Sequence, residues 1–161
     1  MTGSAPPPIT IHVCHEDWAD PAIPLPEYHS VGAAGADLRA NLPTELRETG
    51  LLLAPMARAL CPVGIRVEIP PGYEMQVRPR SGLALKHGVT VPNTPGTIDW
   101  DYRGPLGVPL INFGDTPYIV SHGERIAQAV IAPVIHAQYV IAAMLGTTGR
   151  GGRGFGSTGT A

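Results

Sequence analysis

The chain has 161 residues, 43% of them apolar and 15% charged, which suits one globular domain and excludes a disordered chain. Eleven basic residues against thirteen acidic ones leave a net charge of −2, so bulk charge offers no attraction to nucleic acid or to a membrane surface, and neither is expected as a partner. Twenty glycines and eighteen prolines, about twice the usual share, exclude an architecture of long helices.

In chain order, residues 1–8 (MTGSAPPP) read as a flexible N-terminal arm without the basic and apolar regions of a leader peptide. No apolar run approaches the ~20 residues that span a bilayer. The two cysteines, Cys14 and Cys61, lack metal or redox spacing and suit free thiols in a reducing cytoplasm, the expected location. A first strand is expected over 9–13, and an irregular, proline-rich crossing segment over 21–30. Residues 63–69 alternate apolar and polar, Pro70-Pro71-Gly72 turns the chain, and residues 73–78 alternate again. Period-two alternation on both sides of a turn predicts a half-buried antiparallel hairpin. One helix of about two turns is expected over Ser81–His87. Further strands are expected over 89–91, 106–111, 117–120, 125–131 and 134–141. Many short strands at close spacing predict an all-β sandwich or barrel. Residues 147–161 contain six glycines and few apolar side chains, and read as a flexible tail. The domain division is therefore 1–146 for the β domain and 147–161 for the C-terminal arm.

Four segments carry chemistry. Ten of the eleven basic residues are arginines, whose planar forks grip phosphate oxygens in pairs. In Arg78-Pro79-Arg80-Ser81-Gly82-Leu83-Ala84 a strand runs into a helix start with Ser81 as N-cap, which suits a phosphate site but equally an ordinary cap with solvated arginines. The stretch from Asn93 to Gly104 packs Asp99, Asp101, Tyr102 and Arg103 into five positions. If that segment is extended, both acids point the same way and can bind a metal or provide a general base. The plainer reading is a polar hairpin tip. Gly123-Glu124-Arg125-Ile126-Ala127-Gln128 leads a strand whose polar residues could simply face solvent. Arg150 to Gly159 sets one aromatic, Phe155, in a Gly/Ser/Thr/Arg run: a linker, or an Arg-Gly segment of the RNA-binding kind, against which a single copy in an acidic chain argues. The six histidines show no ligand spacing.

Taken together, these segments resemble the trimeric dUTPase family, which carries five short motifs in a fixed order. They correspond to Ala34-Gly35-Ala36-Asp37-Leu38, Arg80-Ser81-Gly82-Leu83-Ala84, Gly96 to Gly104 with Asn93 upstream, Gly123 to Gln128, and Arg150 to Gly159. One departure stands in the fifth motif, where Arg153 replaces the first glycine of a Gly-Gly pair.

The resemblance implies an all-β, jelly-roll-like subunit with one short helix and a flexible C-terminal arm, assembled as a homotrimer with active sites shared between subunits. It implies hydrolysis of dUTP to dUMP and pyrophosphate by water attack on the α-phosphorus, which keeps uracil out of DNA and supplies dUMP for dTMP synthesis. Asp99 is then the catalytic base and also holds the sugar 3′-OH. Arg80, Ser81, Gly82, Gln128 and Arg150 bind the phosphates. Asn93, Thr97, Ile98, Asp99, Tyr102 and Phe155 bind uracil and deoxyribose. Mg²⁺ is the implied cofactor, held on the phosphates and reached through water by Asp37 and Gln128. Two other readings share the architecture. A dCTP deaminase needs an acid placed for deamination, and residues 104–112 contain no carboxylate. A non-catalytic regulatory module would not need Asp99, Arg80, Gln128 and Phe155 together.

Overall fold

A computed structural model describes residues 8–154. Its strands are β1 (His12–His15), β2 (Ala36–Arg39), β3 (Leu51–Leu53), β4 (Arg58–Pro62), β5 (Ile65–Glu68) and β6 (Tyr73–Pro79), then, after the helix, β7 (Val89–Thr90), β8 (Gly96–Ile98), β9 (Gly107–Asn112), β10 (Tyr118–Val120) and β11 (Arg125–Pro133). The single α-helix among the described residues, α1, covers Ser81–His87 as expected. It ends on Gly88, whose φ of 69° places it in the left-handed region where a side chain is disfavoured. The ladders run β2-β11-β6-β8, β4-β9-β7, β1-β5 and β10-β3. Apolar residues from all four meet in one core, among them Leu38, Leu53, Ile65, Met75, Leu110 and Val120. The result is the all-β, jelly-roll-like fold.

The 63–78 hairpin does not form. The alternation is real, since Ile65 and Val67 are buried and Arg66 and Glu68 exposed, and Met75 and Val77 are buried in turn. The two strands nevertheless enter different sheets. β5 pairs with β1, His12 opposite Glu68. β6 pairs with β11 and β8, Val77 facing Ala129 on one side and Gly96 on the other. Alternation records which face meets the core and carries no information on the ladder partner. Pro70 and Pro71 offer no N–H groups to a ladder, and the turn closes instead through Tyr73 N–H to the Pro70 carbonyl at 3.3 Å.

The first strand lies later than expected, at His12–His15. Residues 134–141 form no strand, and from 134 to 154 each residue is exposed. The backbone tie of Val134 N–H to the Gly72 carbonyl ends their contact with the sheet. Residues 147–154 bond among themselves, as in Gly151 N–H to Thr148 Oγ1 at 3.1 Å. Most of the expected N-terminal arm and the end of the C-terminal one, including Phe155, lie outside the described residues.

Candidate active site

A cationic cluster forms where the ends of β2, β6 and β11 meet. Strand register sets it up, because Asp37 of β2 lies opposite Gln128 of β11, which lies opposite Arg78 of β6. Gly35 precedes β2 because a Cβ there would come within 3.0 Å of the Gln128 Cβ. Asp37 is only 5% exposed, so its carboxylate must find donors inside the protein. Arg125 Nη1 lies 3.2 Å and His29 Nε2 3.1 Å from one oxygen, and Arg80 Nε and Gln128 Nε2 each lie 3.5 Å from the other. Arg80 Nη1 also donates to the Arg125 carbonyl at 3.0 Å. This pins the start of α1 against the start of β11.

Ser81 is not the N-cap. Arg80 holds that position in extended conformation without a side-chain cap bond, and Ser81 is the first helical residue. Ser81 and Gly82 are exposed beside Arg80, and as the first residues of α1 their N–H groups have no partner within the helix. Arg78 turns away, donating to Gln76 Oε1 at 2.6 Å.

Glu124 completes the support of this corner. It accepts hydrogen bonds from the Tyr118 hydroxyl and from Ser121 N–H at 2.9 Å. Burial, then the hydrogen bond and charge of Glu124, push the Tyr118 phenol above its usual range, and Arg80 offsets part of this. The Tyr118 ring packs on His87 with centroids 4.8 Å apart, so the 118–125 segment holds α1 near both ends.

The second site is an open cleft of about 260 Å³ beside β8. Thr97, Ile98, Asp99 and Tyr102 line it together with Leu60 and Pro105. The segment is not extended past Ile98: Tyr102 N–H bonds back to the Asp99 carbonyl at 3.2 Å, so Asp99 opens a turn. Asp99 lines the cleft, and Asp101 is not among its lining residues. Arg103 Nη1 donates to the carbonyls of Trp100 and Tyr102 at 2.7 and 2.9 Å, and Nη2 approaches Glu68 at 3.4 Å. Arg103 therefore shapes the turn from outside the cleft. Asn93 is exposed, and its amide nitrogen would sit 3.3 Å from a Cβ on Gly96. Leu60 was missed by sequence reading because it belongs to no motif and approaches the cleft only through the β4–β9 pairing.

The structure thus gathers Asp37, Arg80 and Gln128 with Ser81 and Gly82 beside them, and separately gathers Thr97, Ile98, Asp99 and Tyr102. It does not bring the two groups together within one chain. Met75 of β6 faces Ile98 of β8, so Asp99 stands level with Glu74, six residues from Arg80. At ~3.3 Å per residue their backbones are roughly 20 Å apart. Arg150 is exposed, and its Nε donates to the nearby Arg153 carbonyl at 2.9 Å.

Among the described residues no group of three or more His, Cys, Asp or Glu is placed to hold a metal ion directly. Both Asp37 oxygens already face cationic or amide donors, so a bare divalent ion would have to displace them. A cation that arrives on phosphates and keeps its water fits these residues better.

An all-β subunit with a cationic cluster and a separate cleft lined by one carboxylate defines a class of protein suited to an anionic ligand. The dUTPase family model matches residues 22–159. The chain is 62% identical to the deoxyuridine 5′-triphosphate nucleotidohydrolase of Dinoroseobacter shibae, over 94% of this chain and 97% of that one. It is 54% identical to the enzyme of that name from Beijerinckia indica, over 99% and 97%. The structure of the Staphylococcus bacteriophage 80alpha dUTPase with dUPNHPP superposes with a TM-score of 0.78 at 25% identity, over 94% of this chain and 99% of that one. The chain belongs to the dUTPase family.

Proposed function

We infer that the protein is a dUTP diphosphatase, which hydrolyses dUTP to dUMP and pyrophosphate, keeping uracil out of DNA and supplying dUMP for dTMP synthesis. The observation that carries this reading is the cleft: in a chain of the dUTPase family, Asp99 and Tyr102 line one nucleoside-sized space beside the backbone of Thr97 and Ile98. Backbone N–H and C=O groups of β8, with the Asn93 amide, read the uracil edge. Tyr102 lies under the deoxyribose. The Asp99 carboxylate holds the 3′-OH and accepts a proton from water as that water's oxygen bonds to the α-phosphorus. The bond from the α-phosphorus to the bridging oxygen breaks, and pyrophosphate leaves with the electron pair.

Arg80, Ser81, Gly82 and Gln128 bind the phosphates: Asp37 holds Arg80 and Gln128 in place at the cationic corner, and Ser81 and Gly82 are exposed beside them. Asp37 and Gln128 would hold a Mg²⁺ ion through water, and the ion would supply charge neutralisation to the triphosphate. Arg150 binds the γ-phosphate and Phe155 stacks on uracil when residues 147–161 close over the nucleotide.

The site is shared in a homotrimer. Two features support this: the backbone separation of roughly 20 Å between Asp99 and Arg80, and the apolar residues of the 134–145 segment. Ile135, Tyr139 and Ile141 are 92%, 95% and 101% exposed, an arrangement that calls for a partner copy. No helix among the described residues is long and apolar enough to cross a membrane. The free thiols Cys14 and Cys61 suit the cytoplasm, and burial pushes Cys61 up to about 12.

The test is pyrophosphate release from dUTP, dTTP, dCTP and UTP side by side, with ammonia measured for dCTP. Release from dUTP alone is expected. Ammonia from dCTP, or no turnover of dUTP, overturns the reading. Light scattering should give three times 16.9 kDa, and a fully active monomer would sink the shared site.

A further inference from the structure

Two side chains of the cleft lie flat on glycines. A Cβ on Gly104 would come within 3.0 Å of Tyr102 Cε2 and closer still to the end of the ring. A Cβ on Gly107 would meet all three outer carbons of Leu60, at 2.9, 3.1 and 3.3 Å. Both distances fall below ordinary carbon contact, so each glycine is what allows its neighbour to lie down. Pro105 stands between them and completes a wall of the cleft. Leu60 is a large aliphatic residue at 67% exposure, covered on one side by the Gly107 backbone and open on the other to the cleft.

This wall offers a sugar hydroxyl no side-chain donor. Leu60, Pro105 and Gly107 carry none. The Tyr102 hydroxyl donates its one proton to the Pro105 carbonyl at 3.1 Å and keeps only acceptor capacity. The proposed pose sets the 3′-OH on Asp99, the base against Thr97 and Ile98 and the sugar on Tyr102, and leaves Leu60, Pro105 and Gly107 as the lining for the C2′ edge. A 2′-hydrogen there buries against carbon. A 2′-hydroxyl there exchanges water for a carbon surface that offers it no donor, which is unfavourable.

We propose that Leu60 is a specificity-determining residue that selects 2′-deoxyribose over ribose, as the second wall facing Tyr102. The proposal rests on the dUTP-hydrolase reading given above. It places part of the sugar discrimination on β4, far in sequence from the hairpin that reads the base. An apolar wall rejects an added hydroxyl by roughly 10²-fold at best, so Leu60 supplies about tenfold of the preference and Tyr102 the rest.

The experiment compares kcat/KM for dUTP and UTP in the full-length wild type, Leu60→Ser and Leu60→Ala. Serine adds a hydroxyl partner and room; alanine adds room alone. The dUTP-over-UTP ratio should fall about tenfold in Leu60→Ser and by less in Leu60→Ala. Selectivity against dCTP should hold in both, because the base is read on β8. Truncation at a mostly exposed position should leave the melting temperature within a few degrees of wild type. An unchanged dUTP-over-UTP ratio in both variants overturns the proposal, as does a loss of assembly or melting temperature as the sole effect, since that makes Leu60 a packing residue. Wild type that fails to hydrolyse dUTP sinks the underlying reading instead, whatever the variants do.

Discussion

The cationic corner and the cleft are built in opposite ways. At the corner a buried carboxylate, Asp37, draws Arg80, Arg125, His29 and Gln128 onto itself, so the donors are oriented before any ligand arrives. In the cleft Asp99 faces open space, and Tyr102 and Leu60 are placed by the glycines under them. One region spends its polar groups on each other and is stiff. The other leaves its reactive carboxylate free. The proposed reaction, which binds a highly charged chain and activates one water, calls for both: fixed charge to meet phosphates, and a carboxylate open to accept a proton.

The largest effect expected from this contrast is on chemistry without stability. Asp99→Asn should lower kcat by about 10²-fold or more, while nucleotide affinity and melting temperature change little. Near-normal turnover in steady-state assays would remove Asp99 from the role. Ending the chain after Gly146 deletes Arg150 and Phe155, and should cut kcat/KM by about 10²-fold, or ~2.7 kcal/mol of transition-state stabilisation. Among the described residues, 147–154 bond to one another, so calorimetry should show the same melting temperature as for the full chain. Full-rate hydrolysis would reduce the segment to a linker.

The corner should respond in the other sense. Asp37→Ala strips Arg80, Arg125 and Gln128 of a common partner, and should cost about 1–3 kcal/mol in urea unfolding as well as raising KM. A variant as stable as wild type would mean that the corner is not preformed. Gly104→Ala should displace the Tyr102 ring and raise KM for dUTP by about tenfold, with pyrophosphate inhibition unaffected. A parallel loss of pyrophosphate binding would show the two regions to be one unit.

The smallest effect lies outside both regions. Asp20 joins the crossing segment to the turn before β11, accepting from Ala22 N–H at 2.9 Å and lying 3.2 Å from His122 Nε2. The Ala22 bond first, then His122, hold its carboxyl below the usual 3.8. A lowered folded value contributes stability above the unfolded value, and that stability is lost as pH falls through the folded one. Thermal melts of wild type and Asp20→Asn should therefore differ at pH 6 and converge as the pH drops below about 4. A difference that persists in acid would exclude Asp20 as its source.

The helix at Ser81–His87 was legible because one short apolar face is closed by Gly88, a local signal. The buried faces of β5 and β6 were legible because alternation is local too. β2, β3, β4 and β8 were not read as strands. Each is three to five residues long, and Leu51–Leu53 and Gly96–Ile98 have no clear period. The motif residues could be named from their order alone, since residue type and spacing carry the chemistry of phosphate and proton. Pairing could not be. Nothing in residues 63–78 says that β5 joins β1 while β6 joins β11, because partner choice depends on which distant strand completes the core. The composition by itself determined a β-rich fold, and the motif order determined the family. Tertiary structure alone decided that Asp37 gathers its arginines, that Leu60 and Tyr102 line one cleft, and that Asp99 stands six strand residues away from Arg80, because each of these rests on register between strands far apart in the chain.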